Sequence, residues 1–234
     1  MNIRRSEDRG LTDIGWLYSR HSFSFGSYHD REQMGYRSLR VINDDIIKAG
    51  QGFGTHPHRD MEIISLVLKG ELEHRDSMGH GEVLRPGEVQ VMTAGSGIEH
   101  SEFNPSKSEG THLLQIWIMP ERRGLTPAYG QKAFAEQDRT NKLLRVAGGR
   151  LEVDDGALTI NQNADIFLSR IEPGKMVTHT VASGRGIWAH LISGSATVDG
   201  VALKPGDAIS VEGQKEVHFE ALDATAEWVI FDLN

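Results

Sequence analysis

LRPGEVQVM at residues 84–92 returns as LKPGDAISV at residues 203–211. In each copy a proline–glycine–acid turn delivers the chain into a short apolar run, the chemistry of a turn in front of a β-strand. Upstream of each copy an apolar strand stops at glycine, SLVLKGELEH (65–74) in the first case and AHLISGSATV (189–198) in the second. Two matches in the same order, about 120 residues apart, point to a duplicated β unit.

The segments around these copies agree. SLRVI (38–42), MEIISLVLKG (61–70), HLLQIWIM (112–119), DIFLSRI (165–171), GIWAHLISG (186–194) and EWVIFDL (227–233) are short, rich in β-branched and aromatic residues, and bounded by glycine or proline turns. Helical periodicity is scarce, and its best short candidate is QKAFAEQD at 131–138. The expected fold is all-β, with two β-sandwich or barrel domains in tandem: residues 1–122, a polar linker at 123–142 carrying Gly124, Pro127 and Gly130, and residues 143–234.

Composition removes several classes of function. A chain of 234 residues with 38% hydrophobic content can build a core. Twenty-five basic against 33 acidic residues give a formal charge of −8, which disfavours direct nucleic-acid binding. There is no cysteine, so thiolate zinc sites, disulfides and cysteine nucleophiles are excluded, and a metal must be held by nitrogen and oxygen. No apolar segment is long enough to span a membrane, and MNIRRSEDRG does not begin a signal peptide, so a cytoplasmic protein is expected.

Metal chemistry is suggested by GTHPHRDME (54–62). Residues two apart on a strand share a face, so His56 and His58 can direct both imidazoles into one cavity. GIEHSEFN (97–104) supplies a second such pair, His100 and Glu102. Three nitrogens and a carboxylate suit iron, zinc, manganese, cobalt, nickel or copper and leave positions open for other ligands. Glu62 has the same parity as His56 and His58, and parity does not choose between Glu62 and Glu102.

Gly50, His56, His58, Glu62 and Gly70 resemble the first cupin motif, and Gly97, His100 and Asn104 the second. GFGTHPHRDMEIISLVLKGELEHRDSMG (52–79), MTAGSGIEHSEFNP (92–105) and GWLYSRHSFSFGSYHD (15–30) more closely resemble the pirin family of bicupins, over essentially all of residues 10–120. The remaining half resembles a degenerate cupin.

That resemblance implies two jelly-roll domains and one divalent metal, iron(II) by family preference, held by His56, His58, His100 and Glu102. It makes Glu62 a neighbour of the site that supports a histidine ring. Bacterial pirin-like proteins resemble quercetin 2,3-dioxygenases, so the implied substrates are a flavonol and O2, with ring opening, release of carbon monoxide and Glu102 as the catalytic base. A flat aromatic substrate needs an apolar pocket, for which Phe53 is a candidate wall. The family equally implies an alternative, a metal- or redox-dependent binding module read by a protein partner.

Other histidines carry weaker expectations. His218 and Glu220 align near His100 and Glu102, and His179 near the HPH pair, which suggests a vestigial, metal-free cavity in the second half. His190 is expected in the core and His21 in packing. No role is expected for His74, His80 or His112, and Glu121–Arg123 is expected to be a solvated charge run.

Overall fold

A computed structural model describes residues 1–149 and 155–234. The chain divides into two units, each a sandwich of two sheets rather than a closed barrel. The amino-terminal unit comprises Gly10–Phe134 with Ile160–Gln162. Its seven-stranded antiparallel sheet runs, in spatial order, Ala128–Ala133, Glu88–Thr93, Glu62–Lys69, Thr111–Ile118, Leu39–Ile47, Leu17–His21 and Gly10–Asp13. Its four-stranded sheet runs Gly52–His58, Ile98–Phe103, Leu72–Asp76 and Gly81–Leu84. Apolar side chains of both sheets meet between them, for example Leu17, Ile47, Val67 and Leu113 with Leu72 and Leu84.

In the carboxy-terminal unit the seven-stranded sheet runs Asn2–Arg4, Ala208–Glu212, Gly186–Ser193, Ala226–Leu233, Ala164–Ile171, Leu144–Gly148 and Leu158–Thr159. Its smaller sheet runs Met176–Thr180, Glu216–Ala221, Ala196–Val198 and Val201–Leu203. The repeated turns therefore feed equivalent strands, Glu88–Thr93 and Ala208–Glu212, each beside the strand that ends at the upstream glycine. The duplication expected from the sequence is present in the topology.

The edges of the units depart from the expected boundaries. Residues 128–133, inside the expected linker and overlapping the expected helix, hydrogen-bond along Glu88–Thr93 as an edge strand. The only helical residues nearby are Glu136–Arg139. Met1–Arg9 belongs to the carboxy-terminal unit, where Asn2–Arg4 pairs with Ala208–Ser210 and Arg5 reaches Asp207 at 2.7 Å. In each unit an added strand covers the exposed backbone of a sheet edge, a requirement that local composition does not announce. Among the described residues no helix is long and apolar enough to cross a membrane.

Candidate metal centre

The small sheet of the amino-terminal unit alternates between a buried and an exposed face, as an antiparallel sheet covered on one side must. Along Ile98–Phe103, His100 and Glu102 are buried while Glu99 and Phe103 face solvent. On the neighbouring edge strand His56 and His58 are half-buried and Pro57 is exposed. Proline is tolerated at this edge because the position needs no ladder donor. His56 lies directly opposite His100, and a register shift between His100 and Glu102 then sets Glu102 opposite Phe53. Such a bulge re-aims side chains, and here His100 and Glu102 both stay on the buried face.

The three imidazoles converge. Ring centroids lie 4.8 Å apart for His56 and His58, 4.5 Å for His56 and His100, and 4.8 Å for His58 and His100. His56 Nδ1 donates to the Gly54 carbonyl at 2.8 Å, and its Nε2 lies 3.0 Å from His100 Nε2. Burial, reinforced by the other imidazoles, pushes His58 down to about 4 and His100 down to about 3. Burial thus holds His58 and His100 in the neutral form that a metal requires of an imidazole ligand.

Glu102 is fixed from behind. Gln115 Nε2 donates to both its oxygens, at 3.0 and 2.9 Å, and Ser65 Oγ approaches at 3.4 Å. Glu62 goes elsewhere. The chain turns at Asp60, whose φ is +51°, and leaves the small sheet, so Glu62 begins a strand of the large one and the parity linking it to His58 ends. There it accepts hydrogen bonds from Thr93 at 2.8 Å and Asn161 at 3.3 Å, and burial pushes its carboxyl up. Support of a histidine ring by Glu62, expected from the family, is not among these contacts.

His56, His58 and Glu102 open onto a cavity of about 380 Å³ walled by Phe25, Phe53, Ile63 and Trp117. Phe53 is therefore in the wall, edge-on to Trp16 at 5.2 Å, and Trp117 meets His58 edge-on at 5.0 Å. His21, expected only to pack, also lines this cavity, with Nδ1 2.7 Å from Asn43 Oδ1 and Nε2 2.9 Å from Thr12 Oγ1. His74, given no role from its sequence, is fully buried with Nδ1 3.4 Å from His100 Nδ1. Beyond it lie Asp76, 3.4 Å from His74 Nε2, and His80, 2.9 Å from Asp76. Burial raises Asp76, but hydrogen bonds from His80 and His74 outweigh it and hold the carboxyl below its ordinary value.

Across the inner face of the large sheet runs a polar row. Gln90, Ser65, Gln115, Asn43 and His21 are register partners on five adjacent strands. Gln90, Ser65 and Gln115 each interrupt a mainly apolar strand, which is the one signal of this row in the sequence. The equivalent row of the carboxy-terminal unit is Ile209, Ala189, Ile230 and Phe167, apolar at four positions, with Arg145 at the fifth. Its interior is packed with Val177, Phe219 and Trp228 among others.

The residues expected to mirror the site do not do so. In the carboxy-terminal unit His179 pairs with Val217 and Thr178 with His218, a register that buries Phe219 while His218 is only partly buried and Glu220 is exposed. His179 is buried but hydrogen-bonds Asp232 at 2.8 Å, beside Arg185. Among the described residues, the clusters of ligand-type side chains with atoms within 4.8 Å of one another are His56–His58–His100 and His74–His100–Glu102.

Comparison with known proteins agrees with this geometry. Residues 3–118 match the Pirin family, and residues 150–233 match the quercetinase C-terminal cupin domain. The quercetin 2,3-dioxygenase of Escherichia coli strain K12 is 42% identical over 231 residues, covering 99% of this chain and 97% of that protein. The crystal structure of YhhW from Escherichia coli superposes with a TM-score of 0.94 at 42% identity, over 100% of this chain and 97% of that one. The structure of bacterial pirin YhhW in complex with nickel(II) gives 0.93 at 42% identity, over 99% and 98%. With one relative matched over almost its whole length and both halves assigned, the chain belongs to the pirin family.

Proposed function

We propose that this protein is a metal-dependent dioxygenase that opens the central ring of quercetin or a related flavonol with O2, its metal held by His56, His58, His100 and Glu102. The observation that carries this reading is the convergence of the His56, His58 and His100 rings beside an apolar cavity that His56, His58 and the buried Glu102 line together. The donor set fits a borderline divalent ion, the nickel complex of a close relative supports a divalent metal, and iron(II) is our choice among them. When bound, the metal supplies Lewis acidity and an electron path between an ionised phenol and dioxygen.

The chain supplies the rest. Glu102 takes the proton of the flavonol 3-hydroxyl, held in position by the two hydrogen bonds from Gln115. Phe25, Phe53 and Trp117 stack on or flank the flat substrate and keep water from the reacting carbon. We place the protein in the cytoplasm, in keeping with its cysteine-free sequence.

Iron-loaded protein should consume oxygen with flavonols, lose turnover anaerobically, and lose both metal and activity in His56→Ala. Glu102→Gln should weaken metal binding, whereas Glu62→Gln should leave the metal in place. Absence of oxygen uptake with every flavonol tried would overturn the enzymatic reading, and the reverse order of the two glutamine variants would overturn the ligand assignment.

A further inference from the structure

One polar group in the cavity is used by none of the chemistry above. Asp45 lies on Leu39–Ile47, two residues beyond Asn43 on the same face, and lines the cavity together with His56, His58 and Glu102. Its side chain is almost wholly enclosed, at 4% exposure. The Ser19 hydroxyl hydrogen-bonds the carboxyl, but Oδ1 has no protein partner. A buried acceptor left unpaired is destabilising, and such a group facing an apolar pocket is a recognition element in waiting.

We propose that Asp45 determines substrate specificity in this cavity: Oδ1 accepts a hydrogen bond from a second phenolic hydroxyl, distinct from the hydroxyl that meets the histidines and Glu102. The chemistry of the cavity selects the ligand class. Flat apolar walls accept an aromatic ring, and the enclosed Asp45 oxygen, an acceptor without a partner, selects a ligand that carries a donor there over one that carries only acceptors. A neutral polyphenol satisfies both conditions, and a hydroxyl is the donor that Oδ1 lacks. Burial, with repulsion from Asp44 and Glu102, lifts Asp45 to about 7 against the pull of Ser19 and His112. Either protonation state keeps an acceptor oxygen.

This inference rests on the flavonol reading, and its test separates the two. Iron-loaded wild type, Asp45→Leu and Asp45→Asn are compared on quercetin and on 3-hydroxyflavone, which retains only the hydroxyl next to the carbonyl. Binding of both compounds is followed in parallel by fluorescence quenching, and metal content is measured for each variant. Asp45→Leu should lower kcat/KM for quercetin by roughly tenfold to a hundredfold, with a matching loss of affinity, while 3-hydroxyflavone changes less than about twofold. Asp45→Asn, which keeps an acceptor oxygen, should retain much of the preference for quercetin. If the leucine variant does not fold, Asp45→Ala carries the same comparison.

Equal losses on both compounds at unchanged metal content would reduce Asp45 to a structural residue and overturn the proposal. So would an unchanged preference for quercetin, which would leave Oδ1 to a buried water. Wild type that binds quercetin through Asp45 without consuming oxygen would support the recognition role while refuting the dioxygenase. Wild type that binds neither compound would overturn the recognition role directly.

Discussion

At the scale of single residues, titration and hydrogen bonding pull the site in opposite directions. Burial raises Asp45 to about 7 in the folded chain, from an ordinary 3.8, so the folded state prefers the protonated form and stability falls as pH rises between those values. Keeping that carboxyl ionised inside the fold costs about 4 kcal/mol. His58 and His100, lowered from 6.5 to about 4 and about 3, act the other way, and the stability they contribute is lost as pH falls below 6.5. In metal-free protein, denaturant unfolding of Asp45→Asn should therefore gain on wild type progressively from about pH 4 to pH 7 and then level off; a pH-independent difference would refute the buried-acid assignment. Gln115→Leu should destabilise the fold by about 1–3 kcal/mol and weaken metal binding in titration calorimetry, since Glu102 would keep only the distant Ser65 hydroxyl.

At the scale of elements, the site depends on how closely two strands approach. A Cβ at Gly52 would run into the carbonyl oxygen of Glu102 and into Phe103. Gly52→Ala should force Gly52–His58 away from Ile98–Phe103 at the bulge that sets Glu102, costing about 1–3 kcal/mol in unfolding experiments and weakening metal affinity as well. An alanine variant with unchanged stability and affinity would show that this approach is not needed. Pairs two apart in HPH and HSE were legible from strand parity alone, because a strand has a fixed period of two. Parity did not choose between Glu62 and Glu102 because the period holds only while the strand continues, and the chain turns at Asp60. His74 and the polar row were not legible because their meaning lies in register: Ser65 or Gln115 alone is one polar residue in an apolar strand, and only pairing aligns them.

At the scale of the whole molecule, duplication has produced two interiors of opposite character. The amino-terminal unit keeps a polar row beneath a cavity, whereas the carboxy-terminal unit fills four of the five equivalent positions with isoleucine, alanine and phenylalanine. Elemental analysis should accordingly give one metal per chain, and the double variant His218→Ala, Glu220→Ala should leave that ratio unchanged; a ratio near two that the double variant halves would sink this view. Saturating metal at a hundredfold excess over its Kd should stabilise the chain by about 2.7 kcal/mol and raise the melting temperature.

The sequence by itself determined the all-β class, the duplicated turns and the two pairs HPH and HSE, because turn chemistry and strand alternation are local properties read over a few residues. Tertiary structure alone decided where the Glu62 side chain goes, that apolar side chains pack the carboxy-terminal interior, and which strands close the sheet edges. Those outcomes depend on register, on the turn at Asp60 and on pairing between segments far apart in the chain, none of which a local pattern encodes.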